Sequence, residues 1–547
     1  MSAPGPTASS AAAAAPPAPG GLSIPWFGLF AVLLGTFIST LNGRLSTFGL
    51  SDIRGAVHAG FDEGAWITTA QTTAQMVVLP VAIWLGGVFG ARRVLIDAAL
   101  AYAVISLLQP FSTNLPMLLG LQFASGLASG FFIPLTLSFI LRAIPPRLWA
   151  YGIALYALNL ELSLNISASL EGWYVEHLTW RWIFWQNVPL ALGMAACFHF
   201  GTRADPKPAS IPKSDRFGIV ASGMGLALIY AALDQGNRLD WLHSGLICGL
   251  LLAGLFLVAA FVVNEHLHPH PFINLKAITA QPVPRLLVLV AFLRLTILST
   301  AYLIPQYLGA VRGFRALEVG GTLIWIAAPQ LAVCWLAAVM LRRFDPRLVA
   351  SIGFLLIAFA CLIVAHGLTP LWSSDQFITS ALMQAVGQSF ALSGVVFFGI
   401  LHLKPEDALT FGAAIQTARL MGGQIGSAFI ATLVRVRSQV ASNHIGQNVR
   451  SGDPDVLARL HAYATVAGHA VDPATANARG GLLLGQAVRS AAAVQGVIDG
   501  FVIIAGLTAF ALAMVVAHKP APIGPASHLP LFSGRLGPHT PQPGASS

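Results

Sequence analysis

Few residues in this 547-residue chain could do chemistry, and most of those sit inside apolar surroundings. Glu161 lies in the run Leu158–Leu164, with Asn159 beside it and Asn165 one helical turn on. Arg44, Arg294 and Arg419 are the other charges set deep in apolar stretches. A carboxylate in such a place can bind a proton or a cationic substrate, a guanidinium can bind an anion, and the two together can form a buried structural ion pair. An isolated charge at the bilayer centre costs at least about 2.5–3.5 kcal/mol, so such residues are kept paired or kept for function. Thr68, Gln71, Thr72 and Gln75 recur at three- and four-residue steps and form one polar stripe on a helix. That stripe either lines a wet cavity or bonds a neighbouring helix. Tyr302, Tyr307 and Trp325 could stack on a planar ligand or serve in packing.

Fourteen apolar segments carry these residues, at about 27–49, 64–88, 93–112, 115–141, 149–172, 182–202, 217–235, 242–264, 284–308, 319–341, 347–367, 374–402, 408–434 and 494–517. A bilayer-spanning helix needs about 20 mostly apolar residues. Charged residues make up 9% of the chain and hydrophobic ones 56%, with a mean hydropathy of +0.73. The bulk of the protein is therefore expected inside the lipid bilayer. The net charge of +9 comes without a dense basic run, which argues against nucleic acid as a partner. Cys197, Cys248, Cys334 and Cys361 lack any Cys-x-x-Cys spacing and read as small core hydrophobes. The run His266–His270 has no fixed helical spacing, so a metal site is not expected. No phosphate loop, nucleophile–base set or dinucleotide fingerprint is present, so neither an enzyme nor an ATP-driven pump is expected, and no cofactor is implied. Energy should come from an ion gradient.

Positive residues distribute unevenly between the segments. Alternate loops hold Arg92 and Arg93, Arg142 and Arg147, Arg203 to Arg216, Lys276 and Arg285, Arg342 to Arg347, and Lys404. The other loops hold fewer and mix them with acids. Positive charge stays inside, so both termini are expected in the cytoplasm. The loop of about 436–493 is basic as well, but long loops cross regardless of charge. It is read as periplasmic, with helical pieces at Val456–Val466 and Leu482–Ala493 forming a cap. Residues 1–25 and 519–547 are rich in Ala, Pro, Gly and Ser and read as disordered cytoplasmic tails. Arg203–Arg216, with Pro206, Pro208 and Pro212, is the best linker. The chain then divides into six spans over 26–203, a linker with two further spans over 204–280, and six spans over 281–518.

That six-two-six order resembles the fourteen-span drug:proton antiporters of the major facilitator superfamily, the EmrB/QacA type. The resemblance rests on GLASGFFIPLTLSFILRAIPP at Gly126–Pro146, LTWRWIFWQNVPLALG at Leu178–Gly193, LDQGNRLDWLHSGLI at Leu233–Ile247, and ARLMGGQIGSAF at Ala418–Phe429. It implies an all-α membrane protein with two six-helix bundles and two extra transmembrane helices packed outside them. It also implies a bacterial inner-membrane protein that exports small lipophilic or aromatic compounds, coupled to a proton gradient, with a periplasmic adaptor and an outer-membrane channel as partners.

The departures from the family pattern concern charge. The usual acid of span one is replaced in Leu41-Asn42-Gly43-Arg44, and the usual arginine of span four is Gln122. Both partners are neutral, so neither is stranded. The Gly-rich loop after span two keeps only Gly90 and its basic end, Arg92 and Arg93. The Gly-Pro pair of span five aligns with Ser167-Ala168, and its next glycine with Glu171. Proton coupling would then need other residues. Glu161 is the leading candidate, and the family's cavity-lining spans one and five would allow an Arg44–Glu161 pair. Arg419 matches the family pattern and could simply tie helix backbones together. Two alternatives stay open: an anion or metabolite carrier using Arg44, and a non-transporting scaffold or sensor.

Overall fold

The computed structural model describes residues 25–143, 148–202, 215–268, 273, 279, 283–402, 408–449, 453–467 and 473–521. The expected tails, most of the 203–216 linker and the end of the His266–His270 run lie outside the described residues. Among the described residues fourteen main helices follow one another. The first six are α1 (Pro25–Phe48), α2 (Trp66–Phe89), α3 (Ala91–Leu108), α4 (Leu115–Ser129, resumed as Phe132–Ala143), α5 (Trp149–His177) and α6 (Asn187–Gly201). The inserted pair is α7 (Arg216–Gln235) and α8 (Gly245–Leu267). The last six are α9 (Val283–Thr296, continued through Ser299–Leu303 and Ile304–Ala310), α10 (Ala316–Arg343), α11 (Pro346–Gly367), α12 (Ile378–Ile400), α13 (Ala408–Asn448) and α14 (Pro473–Ala517). Among the described residues, twelve segments are long and apolar enough to cross a membrane. Of the other two helices, α6 is short at 15 residues, and α13 is interrupted by Arg419, Arg435 and Arg437.

Each half repeats the same packing. In the first, α1 packs on α5 and α6, α3 on α6, and α2 on α4; in the second, α9 packs on α13 and α14, α11 on α14, and α10 on α12. The equivalent helices α2 and α10 both carry an internal proline, Pro80 and Pro329. Such residues are tolerated in membrane helices because neighbours satisfy the freed backbone groups. The result is the pair of pseudo-symmetric six-helix bundles expected from the six-two-six order.

Two seams join the bundles. Along one, α5 lies against α10; along the other, α13 lies against α2 and the second half of α4. Small residues set the approach along the first seam, as is usual where van der Waals packing replaces the hydrophobic effect. A methyl group on Gly172 would meet the Leu317 backbone nitrogen at 2.5 Å, and one on Gly320 would meet the Ser169 nitrogen at 2.5 Å. Local signals shape the connections too. Gly90 has φ +83°, a left-handed conformation that L side chains avoid, and it alone separates α2 from α3. Arg92 next to it donates to the carbonyl of His199 at 2.9 Å, at the end of α6, where the helix dipole favours a cation.

The inserted pair packs outside the bundles, but unequally. Helix α8 packs on α7, and Leu252, Phe256 and Val263 on its surface are exposed. Helix α7 packs against α2 and also touches α13. Residues 436–493, expected as a loop with helical pieces, are mostly continuous extensions of α13 and α14 with a short helix, Pro454–Ala467, between them. Arg437 pairs with Asp499 and ties the two extensions together.

Candidate functional site

A cavity of about 320 Å³ lies between the bundles, walled by α1, α2, α7, α9 and α13, with Leu164 from α5. The polar stripe of α2 faces it with all four expected residues, Thr68, Gln71, Thr72 and Gln75. A stripe that bonds another helix would have its polar atoms occupied, yet neither the oxygen nor the nitrogen of the Gln71 side chain has a hydrogen-bond partner among the described residues. Gln75 donates to the Ser129 hydroxyl of α4 at 3.0 Å, and Thr72 bonds the Tyr230 hydroxyl of α7 on the cavity wall itself. The stripe is chiefly cavity wall.

Three guanidiniums converge on this space: Arg44 from α1, Arg294 from α9 and Arg419 from α13. Arg44 Nη2 donates to the Ala301 carbonyl at 2.9 Å. That carbonyl belongs to the π turn Ser299–Leu303, where the wider coil alters the regular backbone pairing. The Arg44 guanidinium also lies 5.1 Å from the centre of the Phe48 ring. Arg419 Nε donates to Gln416 at 2.9 Å. Arg44 Nε, Arg294 Nε and Nη1, and Arg419 Nη1 are buried without a hydrogen-bond partner among the described residues.

The expected Arg44–Glu161 pair is not formed. Glu161 is fully buried behind the cavity wall, both its oxygens lack hydrogen-bond partners among the described residues, and the charges that act on it are Arg294 and Arg419. Register along the two helices explains this. Gly49, just after α1, lies against the Glu171 carboxylate of α5. Arg44 is five residues before Gly49 while Glu161 is ten before Glu171, so at about 1.5 Å per residue the two differ by several ångströms in height.

Asn42 and Gln122, the neutral replacements, are fully buried and stand away from the cavity. Asn42 accepts from Asn187 of α6 at 2.8 Å, and Gln122 accepts from Gln109, just after α3, at 3.2 Å. Asn165 joins a ladder of amides. It donates to Gln388 of α12 at 3.2 Å and to Gln330 of α10 at 3.4 Å, while Gln388 donates to Thr300 of α9 at 2.8 Å and Gln384 to Ser299 at 3.0 Å. Among the three aromatics, only Tyr302 lines the cavity; Tyr307 is buried and donates to the Thr369 carbonyl at 2.6 Å, and Trp325 is exposed.

Two titratable cavity residues were not expected from sequence: Tyr230 and Asp234, both from the inserted helix α7. Asp234 accepts from the Thr69 hydroxyl of α2 and, at 3.0 Å, from Gln424 of α13. Its position at the end of an apolar segment, in Leu233-Asp234-Gln235-Gly236, reads as a turn.

Residues 32–427 match the family model described as Major Facilitator Superfamily. The chain belongs to that superfamily. This transporter is 22% identical over 436 residues to the multidrug export protein EmrB of Escherichia coli K12, covering 78% of this chain and 84% of that one. It is 23% identical over 442 residues to the fatty acid resistance protein FarB of Neisseria gonorrhoeae, with the same coverages of 78% and 84%. The solved structure of the proton:xylose symporter XylE, with a bound bromo-deoxyglucose, superposes with a TM-score of 0.56 at 11% identity, over 91% of this chain and 97% of that one. The protein is a divergent EmrB-type superfamily member of the inner membrane, a transporter of small molecules and not an enzyme.

Proposed function

We propose that this transporter is a secondary exporter of small lipophilic or aromatic compounds, driven by protons. The observation that carries this reading is the cavity between the two pseudo-symmetric bundles, of about 320 Å³. It joins apolar and aromatic wall, Leu164, Leu298, Tyr230 and Tyr302, to a few polar groups, which is the make-up of a small-molecule site. The likeness to EmrB, a multidrug export protein, supports export. Glu161 is the proposed coupling residue, because Asn42 and Gln122 cannot titrate and a buried acid beside two arginines responds to what they bind. A periplasmic adaptor and an outer-membrane channel are the proposed partners, and both termini are placed in the cytoplasm on the strength of the loop charges.

A second reading is favoured by a specific feature. Arg44, Arg294 and Arg419 supply three positive charges to the cavity against the carboxylate of Asp234, with Glu161 behind the wall. Cargo with an acidic head and an apolar body would satisfy both the guanidiniums and the aromatic wall. The likeness to FarB, a fatty acid resistance protein, agrees with it.

Everted membrane vesicles from cells making the protein test both readings. Imposed acid inside should drive uptake of lipophilic dyes, and lipophilic carboxylates should compete better than their neutral esters. Vesicles with no uptake beyond that of the empty strain, across a panel of neutral, cationic and acidic compounds, would rule out export.

A further inference from the structure

The end of α7 is bonded to both bundles at once. On the α2 side, Asp234 accepts from the Thr69 hydroxyl, Gln235 donates to the same hydroxyl at 2.6 Å, and Arg238 pairs with Asp62 at 2.9 Å in the segment before α2. On the α13 side, Gln424 donates to Asp234 at 3.0 Å, Asn237 donates to the Ala428 carbonyl at 3.0 Å, and Thr432 donates to Asn237 at 2.6 Å. Helix α2 belongs to the first bundle and α13 to the second. Asp234 itself lines the cavity and is its only acidic wall residue among the described residues.

We propose that Asp234 to Arg238 form a clasp that holds α2 and α13 together at the end of the membrane where α2 begins, and that Asp234 is the positioning residue at its centre. The inserted pair would then be a working part of the transporter and not only a peripheral addition. This rests on the transporter reading, since two bundles that rock against each other must part along this seam to open the cavity at that end. Six polar bonds spread over two helices fix the closed arrangement. A hydrogen bond to a charged group is the strongest kind here, so losing the Asp234 carboxylate should shift the opening equilibrium about tenfold or more.

Accessibility of a cavity thiol tests this without any substrate, so the result is independent of whether export is detected. The four native cysteines are replaced by serine and a single cysteine is placed at Ser427, on the cavity wall. Labelling by a membrane-impermeant maleimide is timed in intact cells and in inverted vesicles. Asp234→Ala and Asn237→Ala should each speed labelling about tenfold from one side only, with Asp234→Asn, which keeps one acceptor oxygen, in between. Asn237 is not on the cavity wall, so its variant separates the clasp from any change in the cavity itself. Rates unchanged in both alanine variants, or raised equally from both sides, would overturn the proposal.

Discussion

Arg44 of α1 donates through Nη2 to the carbonyl of Ala301, 2.9 Å away in the π turn of α9. The bond runs from one bundle to the other, and among the described residues Arg44 has no carboxylate partner. Glu161 is instead reached by Arg294 and Arg419. Double-mutant comparison should separate these relationships. Arg44→Ala and Glu161→Gln should act additively on stability in detergent, within about 0.5 kcal/mol. Arg419→Ala with Glu161→Gln should not, because removing the arginine alone leaves a buried carboxylate with less compensation; a coupling of about 1–3 kcal/mol is expected. Coupling confined to the Arg44 pair would reverse this assignment.

Glu161 carries the second prediction. Glu161→Gln keeps the volume and removes the titrating group. The variant should fold and insert normally, lose gradient-driven efflux, and keep substrate exchange across a membrane with no proton gradient. Efflux driven by acid at the wild-type rate would exclude Glu161 as the coupling site.

How far these relationships could be read from the sequence depends on the scale of the signal. Most of the helices follow from apolar length, since lipid forces the backbone to satisfy itself within each segment; α6, which is short, and α13, which Arg419 interrupts, are the weaker signals. The α2 stripe was legible because Thr68, Gln71, Thr72 and Gln75 repeat at helical spacing and a helix has only one face to offer them. Pairing across helices was not legible. Arg44 and Glu161 sit in apolar surroundings on adjacent helices, yet their heights depend on where each helix starts, and an error of a few residues moves a side chain by several ångströms. Asp234 was missed for the opposite reason. Beside Gly236 and Asn237 it has the composition of a turn, and only the docking of α7 against α2 and α13 turns it toward the cavity.

The amide ladder gives a third prediction. Gln388 accepts from Asn165 and donates to Thr300, so it links α5 of one bundle to α9 of the other through α12. Gln388→Leu removes both bonds and also the one that Gln388 accepts from Gln330 at 3.3 Å. Asn165 keeps the Glu161 carbonyl at 3.0 Å and Thr300 the Ile297 carbonyl at 3.1 Å, so the Gln330 amide is the group left without its acceptor. Buried polar groups left unpaired cost about 1–3 kcal/mol. The melting temperature of the purified transporter should fall by a few degrees, as expected for a loss of that size. Gln330→Leu combined with Gln388→Leu should recover part of the loss, because the orphaned amide is removed. A double variant less stable than the sum of the singles would count against the ladder.

Close packing of α5 on α10 sets the fourth. Gly172 and Gly320 each face backbone of the partner helix, Leu317 and Ser169, with no flexible side-chain tip to give way. Gly172→Val should therefore force the seam apart, and efflux should fall at least about tenfold if a misplacement of about 1 Å is enough to disturb a positioned site. Gly321, next to one of them, has open space where a side chain would go, so Gly321→Ala is the matched control and should transport normally. Equal transport by Gly172→Val and Gly321→Ala would show that the seam tolerates separation.

Topology supplies the last. The loops rich in arginine and lysine alternate with loops that are not, from which cytoplasmic termini are predicted. By that count the extensions of α13 and α14, joined by the Arg437–Asp499 pair, project into the periplasm. This is the one region where the bias runs the other way, because Arg435, Arg437, Arg459, Arg479 and Arg489 would all be outside. The count of spans must therefore outweigh the local charge. A single cysteine at Ser442, on the α13 extension, decides between them. It should react with an impermeant thiol reagent in whole cells of a strain whose outer membrane admits the reagent, and a cysteine at Ser373 in the turn before α12 should do the same. Reaction of both only after lysis would invert the whole topology. Reaction at Ser373 but not at Ser442 would mean that α13 fails to cross, and that its arginines hold the extension on the cytoplasmic side.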